Sequence, residues 1–306
     1  MRHVLNAQQF TPELLGIIFK RANELQLIVD DPRKHQKLGS LLAGGMLFNI
    51  FYEPSTRTRI SFSAAGQHLG MQVVNTENAK EFSSAIKGET LEDTIRVLCQ
   101  YRPSVIVLRH FETGAIERAA KVSTVPIINA GDGVGQHPTQ ALLDIYTIQK
   151  EAGRLKNLDI VIGGDLKHGR TARSLSYLIA KFPGNKITYV SPKELRIASD
   201  IKMYLKSHKV AFQETDLLIP ALKTADVVYW TRVQKERATA ESKISYIIGK
   251  KELAAMKPKA ILLHPLPRIT EISTEVDNDP RAAYFRQAGN GLFIRMALIE
   301  WALGYL

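Results

Sequence analysis

Cysteine is almost missing from this 306-residue chain. The single Cys99 cannot close an intrachain disulfide, so a reducing compartment is expected, the cytoplasm first. Long apolar runs are missing too. The longest uncharged stretch, residues 38–52, has 15 residues interrupted by Gly and Asn, whereas a membrane helix needs about 20 apolar residues; no membrane span is expected. The opening MRHVLNAQQF lacks the apolar centre of a secretory signal. No block of five basic residues occurs, although Lys and Arg outnumber Asp and Glu by 41 to 30, a formal charge of +11. A nucleic-acid surface would gather such charge into stripes with aromatic partners; scattered charge argues against nucleic acid and leaves an anionic small substrate or plain solubility. Neither His137 and His264 nor Cys99 fall at metal-ligand spacing. Cys99 belongs to an apolar helical stripe, where a packed thiol is the ordinary outcome.

What is present is a globular composition, 45% hydrophobic and 23% charged, long enough for two domains with a core each. Short apolar β-rich runs recur at 46–52, 105–108, 126–128, 158–162, 187–190, 226–230 and 260–263. Segments of helical spacing lie between most of them, such as Leu91, Ile95, Leu98 and Cys99. Continuous rather than alternating apolar strands, separated by helices, predict parallel sheets covered on both faces. The fold class is therefore α/β, with two doubly wound domains, each a mainly parallel sheet flanked by helices. A Gly-rich loop at 130–135, a helical stretch at 138–151 and Gly153 suggest the break. The polar, charged stretch 235–251 is expected to be a mobile loop. There is no internal repeat.

Five constellations follow strand-like runs. Phe51-Tyr52-Glu53-Pro54-Ser55-Thr56-Arg57-Thr58-Arg59 leads from a strand into a helical pattern. A helix N-terminus with free N–H groups, three hydroxyls and two guanidiniums suits a phosphate; an ordinary N-cap, which needs one hydroxyl, is the alternative. Asn129 to Gln140 delivers His137 and Gln140 to a helix start with Pro138 suited to its first position, and His137 has either a donor or acid–base role, or that of a solvated cap. Gly164 to Thr171 nearly matches a nucleotide P-loop, but Arg170 replaces the phosphate-binding Lys, which excludes nucleotide hydrolysis and suits bidentate carboxylate capture instead. Arg232 and Gln234, two residues apart after 226–230, could share a face of extended backbone and hold a second carboxylate, or form a solvated loop. His264-Pro265-Leu266-Pro267-Arg268 makes a stiff turn with Leu266-Pro267 a candidate cis bond.

Together these motifs resemble the aspartate/ornithine carbamoyltransferases, almost end to end, from the strand before Ser55 to Ala288-Gly289-Asn290-Gly291. Ser55 to Arg59 is shared by the whole superfamily. His137-Pro138-Thr139-Gln140 and the cysteine-free 264–268 motif are similar to its aspartate branch. The resemblance implies a carbamoyl-phosphate-binding domain over 1–135, a linking helix over 136–149, and an aspartate-binding domain over 150–289. A C-terminal helix at about 290–306 would pack back on the first domain. It implies that Ser55, Thr56, Arg57, Thr58, Arg109, His137, Gln140, Pro265 and Leu266 hold carbamoyl phosphate, with Ser83 and Lys87 supplied by a neighbouring subunit. Thr58, Arg109 and His137 would act on the carbamoyl oxygen, and Lys87, Arg170, Arg232, Gln234 and Leu266 would hold L-aspartate. Arg237 would pair with acids such as Glu53.

The implied reaction passes the carbamoyl group from carbamoyl phosphate to the amine of L-aspartate, in pyrimidine synthesis, without cofactor or metal. The implied assembly is a homotrimer with shared sites, and a separate regulatory chain is a partner the resemblance leaves open. Ornithine as acceptor is the competing reading; two cationic clamps suit it poorly, because its side chain is itself an ammonium.

Overall fold

The computed structural model describes residues 1–79, 88–232 and 246–306, the side chains of 35–37 excepted. It separates into two compact units, residues 1–139 with 291–306, and residues 140–290.

In the first unit, helices α1 (Pro12–Val29) and α2 (Pro32–Leu38) each begin with a proline behind a capping side chain. Thr11 Oγ1 accepts from the Leu14 N–H at 3.2 Å and Asp31 from the Arg33 N–H at 3.1 Å. Strand β1 (Met46–Phe51), helix α3 (Thr56–His68), strand β2 (Gln72–Thr76), helix α4 (Leu91–Gln100), strand β3 (Val105–His110), helix α5 (Ala115–Val122) and strand β4 (Ile127–Asp132) follow, and helix α6 (Pro138–Ala152) begins here and continues as part of the second unit. The four strands are parallel in the order β2-β1-β3-β4. Phe48, Ile50, Ile106, Leu108 and Ile127 of the sheet meet Ile95, Cys99, Ile116 and Ala119 of α4 and α5 in one buried cluster. Cys99 is thus a core residue, its thiol 3.6 Å from Ser123 Oγ.

The second unit contains β5 (Asp159–Gly163), α7 (Arg170–Ile179), β6 (Lys186–Val190), α8 (Ser199–Ser207), β7 (Ala211–Thr215), α9 (Leu218–Thr224), β8 (Val227–Trp230), α10 (Lys250–Ala255), β9 (Ile261–Leu263) and the start of α11 (Tyr284–Leu303). Its parallel sheet runs β7-β6-β5-β8-β9. Val161, Val228, Trp230 and Leu262 pack under Leu222, Leu253, Met256 and Ile272.

The end of α11 returns to the first unit, as expected of the C-terminal helix. Glu300, buried, takes two 2.7 Å hydrogen bonds from the Arg21 guanidinium of α1, and Trp301 lies against Phe10. Arg295 donates to Ser61 Oγ at 3.0 Å and lies over the Phe62 ring of α3.

Two strands escaped the sequence reading, β2 and β7. Each is the edge of its sheet, and its side chains are largely exposed or half-buried, so neither forms an apolar run. Of the expected mobile loop 235–251, the described part, 246–251, is built into the fold. Tyr246 donates to the Asp216 carbonyl and sets its ring edge-on to Trp230, Ile248 pairs with Ile272, and α10 starts at Lys250. Residues 233–245 lie outside the described part.

Candidate active site

In the first sheet the chain moves from β1 outward to β2, then back across β1 to β3. That leaves a switch point between the carboxyl ends of β1 and β3, where open α/β sheets receive ligands. Ser55 to Arg59 follow β1 at this place. Phe51 is paired in register with Arg109, and the Tyr52 N–H donates to the Arg109 carbonyl at 2.9 Å, so β3 delivers Arg109 beside the turn.

Ser55 occupies the N-cap of α3, yet its side chain makes no capping bond there. The simple capping explanation therefore does not account for the hydroxyls. Arg57 and Thr56 are exposed on the first turn, while Thr58 is buried. That turn carries no acid, although a helix N-terminus favours negative charge. Two carboxylates brace the turn from outside it. Glu77 accepts from the Ser55 N–H at 3.2 Å and pairs with Arg59 at 2.7 Å; Glu53 pairs with Arg109 at 3.2 Å. Arg109 also donates to the Ala130 carbonyl at 3.4 Å, tying β3 to the end of β4.

The loop after β4 is cinched by Asp132, which accepts from the N–H groups of Gly114 at 3.0 Å and Gln136 at 2.8 Å. His137, at its end, is 4% exposed, with Nδ1 3.4 Å from Thr139 Oγ1. It is not the solvated cap that a lone loop histidine suggested. The carboxyl edge of one sheet thus gathers Ser55 to Thr58, Arg109 and His137.

The second sheet repeats the device. Its switch point lies between β5 and β8, and Arg170 and Arg232 follow those two strands. Close packing fixes the spot: a side chain on Gly163 would meet the Trp230 ring at 2.0 Å, and one on Gly164, which has φ +105°, would meet the Thr231 carbonyl at 2.1 Å. Thr231 binds the Gly163 carbonyl through its N–H at 2.9 Å and its hydroxyl at 3.0 Å. Arg170 is the first residue of α7, and both arginines are half-buried. Asp165, wholly buried, accepts from the His168 N–H at 3.0 Å, so the near-P-loop is a turn closed on its own carboxylate, which would repel a phosphate.

After β9, His264 is 1% exposed. Its Nδ1 accepts from the Leu266 N–H at 2.8 Å, which leaves the proton on Nε2, 2.9 Å from Glu271 Oε1. Glu271 Oε2 accepts from the N–H groups of Ile269 and Thr270 at 3.1 Å each. The Leu266-Pro267 bond is cis, as the motif suggested, and Leu266 sits at φ +53°. Arg268 is turned to structure, paired with Asp277 and lying over Tyr284. Burial works to raise the Glu271 pKa, but His264 and the backbone N–H groups prevail and hold it at about 2, against an ordinary 4.5. This carboxylate therefore stabilises the fold above pH 4.5, and that contribution fades as pH falls towards 2, a span of about 3 kcal/mol. Urea unfolding of the parent and Glu271→Gln is expected to differ by up to that amount at pH 6, with the gap narrowing to about half or less at pH 3 and closing only towards pH 2. A pH-independent gap contradicts it.

Ser83, Lys87, Gln234 and Arg237 lie outside the described residues. Glu53, expected to meet Arg237, holds Arg109 here. Glu77 and Asp144 are additions that sequence reasoning missed. Glu77 follows an edge strand with no apolar signature. Asp144 had one available signal: it stands four residues after Gln140 on a helix, and Gln140 Nε2 donates to its Oδ1 at 2.7 Å.

Two doubly wound units, each presenting cationic side chains at its own switch point, define an α/β protein built to hold small anions. Residues 2–150 match the family described as aspartate/ornithine carbamoyltransferase, carbamoyl-P binding domain, and residues 156–302 match its Asp/Orn binding domain. The chain belongs to the aspartate/ornithine carbamoyltransferase family. It is 51% identical to the chloroplastic aspartate carbamoyltransferase of Arabidopsis thaliana, over 98% of this chain and 77% of that protein. It is 44% identical to the aspartate carbamoyltransferase catalytic subunit of Clostridium novyi, over 99% and 98%. The crystal structure of Trypanosoma cruzi aspartate transcarbamoylase in complex with carbamoyl phosphate and aspartate superposes with a TM-score of 0.90 at 39% identity, covering 98% of this chain and 96% of that one.

Proposed function

We propose that this protein transfers the carbamoyl group of carbamoyl phosphate to the amine of L-aspartate, giving N-carbamoyl-L-aspartate and phosphate on the route to pyrimidines. The observation that carries the reading is the pair of cationic switch points, one with hydroxyls and Arg109 beside a helix N-terminus, the other with two guanidiniums from separate strand ends. The first matches a phosphate and the second a dicarboxylate.

In this reading Ser55, Thr56, Arg57, Thr58 and Arg109 cradle the phosphate, with Ser83 and Lys87 of an adjacent subunit. Thr58, Arg109 and His137 donate to the carbamoyl oxygen. Gln140 and the carbonyls of Pro265 and Leu266 accept from the carbamoyl NH2, and the Leu266 carbonyl also orients the attacking amine. Arg170, Arg232, Gln234 and Lys87 hold the two carboxylates of L-aspartate. The neutral amine attacks the carbamoyl carbon, a C–N bond forms, and negative charge gathers on the carbonyl oxygen, where the three donors stabilise it. Collapse breaks the C–O bond to phosphate, and the departing phosphate takes the amine proton. Positioning and fixed positive charge supply the acceleration. The protein acts in the cytoplasm as a homotrimer whose sites are shared between subunits, and a regulatory chain is a candidate further partner.

The test is a carbamoyl-phosphate assay with L-aspartate and L-ornithine side by side. L-Aspartate is expected to be carbamoylated with kcat/KM about a thousandfold or more above L-ornithine, because an ammonium side chain facing two guanidiniums is repelled, whereas a carboxylate is attracted. Faster turnover of L-ornithine overturns the reading. Light scattering of the same sample is expected to give three times the mass of one chain.

A further inference from the structure

Four buried side chains of the second unit form a chain of hydrogen bonds to which the mechanism assigns no task. Asp144 Oδ1 accepts from Gln140 Nε2 at 2.7 Å and from Gln287 Nε2 at 2.6 Å. Gln287 Oε1 in turn accepts from the His264 N–H at 2.9 Å. His264 takes the Leu266 N–H on Nδ1 and gives Nε2–H to Glu271. Asp144, Gln287 and His264 are each at most 1% exposed.

The chemistry dictates every direction in this chain. Asp144 Oδ1 accepts from both glutamines, so both turn their NH2 groups to it. Gln140 then has its carbonyl oxygen left to present, and Gln287 its carbonyl to the His264 N–H. A backbone N–H only donates, so His264 Nδ1 must be bare and its proton must sit on Nε2, facing Glu271. Two carboxylates, one at each end, set the polarity of everything between them.

Resting on the functional reading above, we propose that Asp144 is a positioning residue: it fixes the Gln140 amide with its oxygen outward and, through Gln287 and His264, the 264–266 turn. The three acceptors assigned to the carbamoyl NH2, namely Gln140 Oε1 and the carbonyls of Pro265 and Leu266, are then aligned by one carboxyl group that touches no substrate. Without Asp144 the Gln140 amide can flip and offer its NH2 to the substrate's own N–H donors, which is repulsive. The cradle for phosphate lies on other residues and is untouched.

The experiment compares the parent with Asp144→Leu, Asp144→Asn, Gln140→Leu and the double Gln140→Leu/Asp144→Leu in the full chain. The measurements are kcat/KM for carbamoyl phosphate, inhibition by inorganic phosphate, and thermal midpoint. Asp144→Leu is expected to lose about 10- to 100-fold in kcat/KM, with phosphate inhibition within about twofold of the parent. Asp144→Asn, which keeps one acceptor oxygen, is expected to return to within about threefold. The double variant should lose little more than Gln140→Leu alone, because Asp144 acts through that residue. Should Asp144→Leu fail to fold, Gln287→Met carries the test, with a loss of about 5- to 10-fold in kcat/KM and unchanged phosphate inhibition. Additive losses, failure of Asp144→Asn to rescue, or an unaffected Gln287→Met overturn the proposal while leaving the functional reading intact. A parent that makes no N-carbamoyl-L-aspartate removes both.

Discussion

Replacing Arg57 with alanine is expected to leave the protein folded and to remove about a thousandfold or more of its kcat/KM for carbamoyl phosphate. The two halves of that result have separate causes. Arg57 is exposed in the first turn of α3, where the partial positive charge of the helix end already opposes a cation. A guanidinium there gains little for the helix, and its removal should change stability by about 1 kcal/mol or less. A cation at a helix N-terminus suits the capture of an anionic ligand. A phosphate bearing about two charges is such a ligand, and in the reaction that phosphate becomes the leaving group, so lost stabilisation enters the barrier as well as binding. Steady-state kinetics beside a thermal melt checks both halves. Activity within about tenfold of the parent would move the phosphate site elsewhere.

The braces around this turn sharpen the expectation. Glu53 and Glu77 pair with Arg109 and Arg59 at 3.2 and 2.7 Å, and Glu77 also holds the Ser55 N–H. They fix the neighbours of Arg57 before any ligand binds, so the alanine variant should keep the turn in place.

Strands β1, β3, β4, β5 and β8 were legible because they are buried on both faces and so spell continuous apolar runs. Edge strands β2 and β7 face water on much of their length, and QVVNT and AFQET carry no such run. Cationic motifs were legible for a related reason. Each follows a central strand, so strand and ligand loop announce one another. What could not be read was the support. Glu77 stands after an unseen strand, and Gln287 meets Asp144 only through the tertiary fold, 143 residues away. The burial of His137 likewise depends on the loop being closed over Asp132, which no local pattern encodes.

The second large effect is expected at Arg232. Thr231 pins the end of β8 to Gly163, and Trp230 fills the space that any larger residue at 163 would need, so packing sets the backbone that leads into Arg232. Arg232→Lys keeps the charge and removes the fork. If Arg232 grips a carboxylate of L-aspartate through two parallel N–H bonds, a point charge on a flexible stem cannot replace it. The variant is then expected to lose about 100-fold in kcat/KM for L-aspartate. The KM for carbamoyl phosphate, whose phosphate is assigned to the other sheet, should stay within about threefold of the parent. Succinate, a dicarboxylate without the amine, should lose its inhibition in parallel, because it depends on the same grip. A lysine variant that still binds succinate like the parent would mean that Arg170 alone, or residues beyond 232, select the substrate.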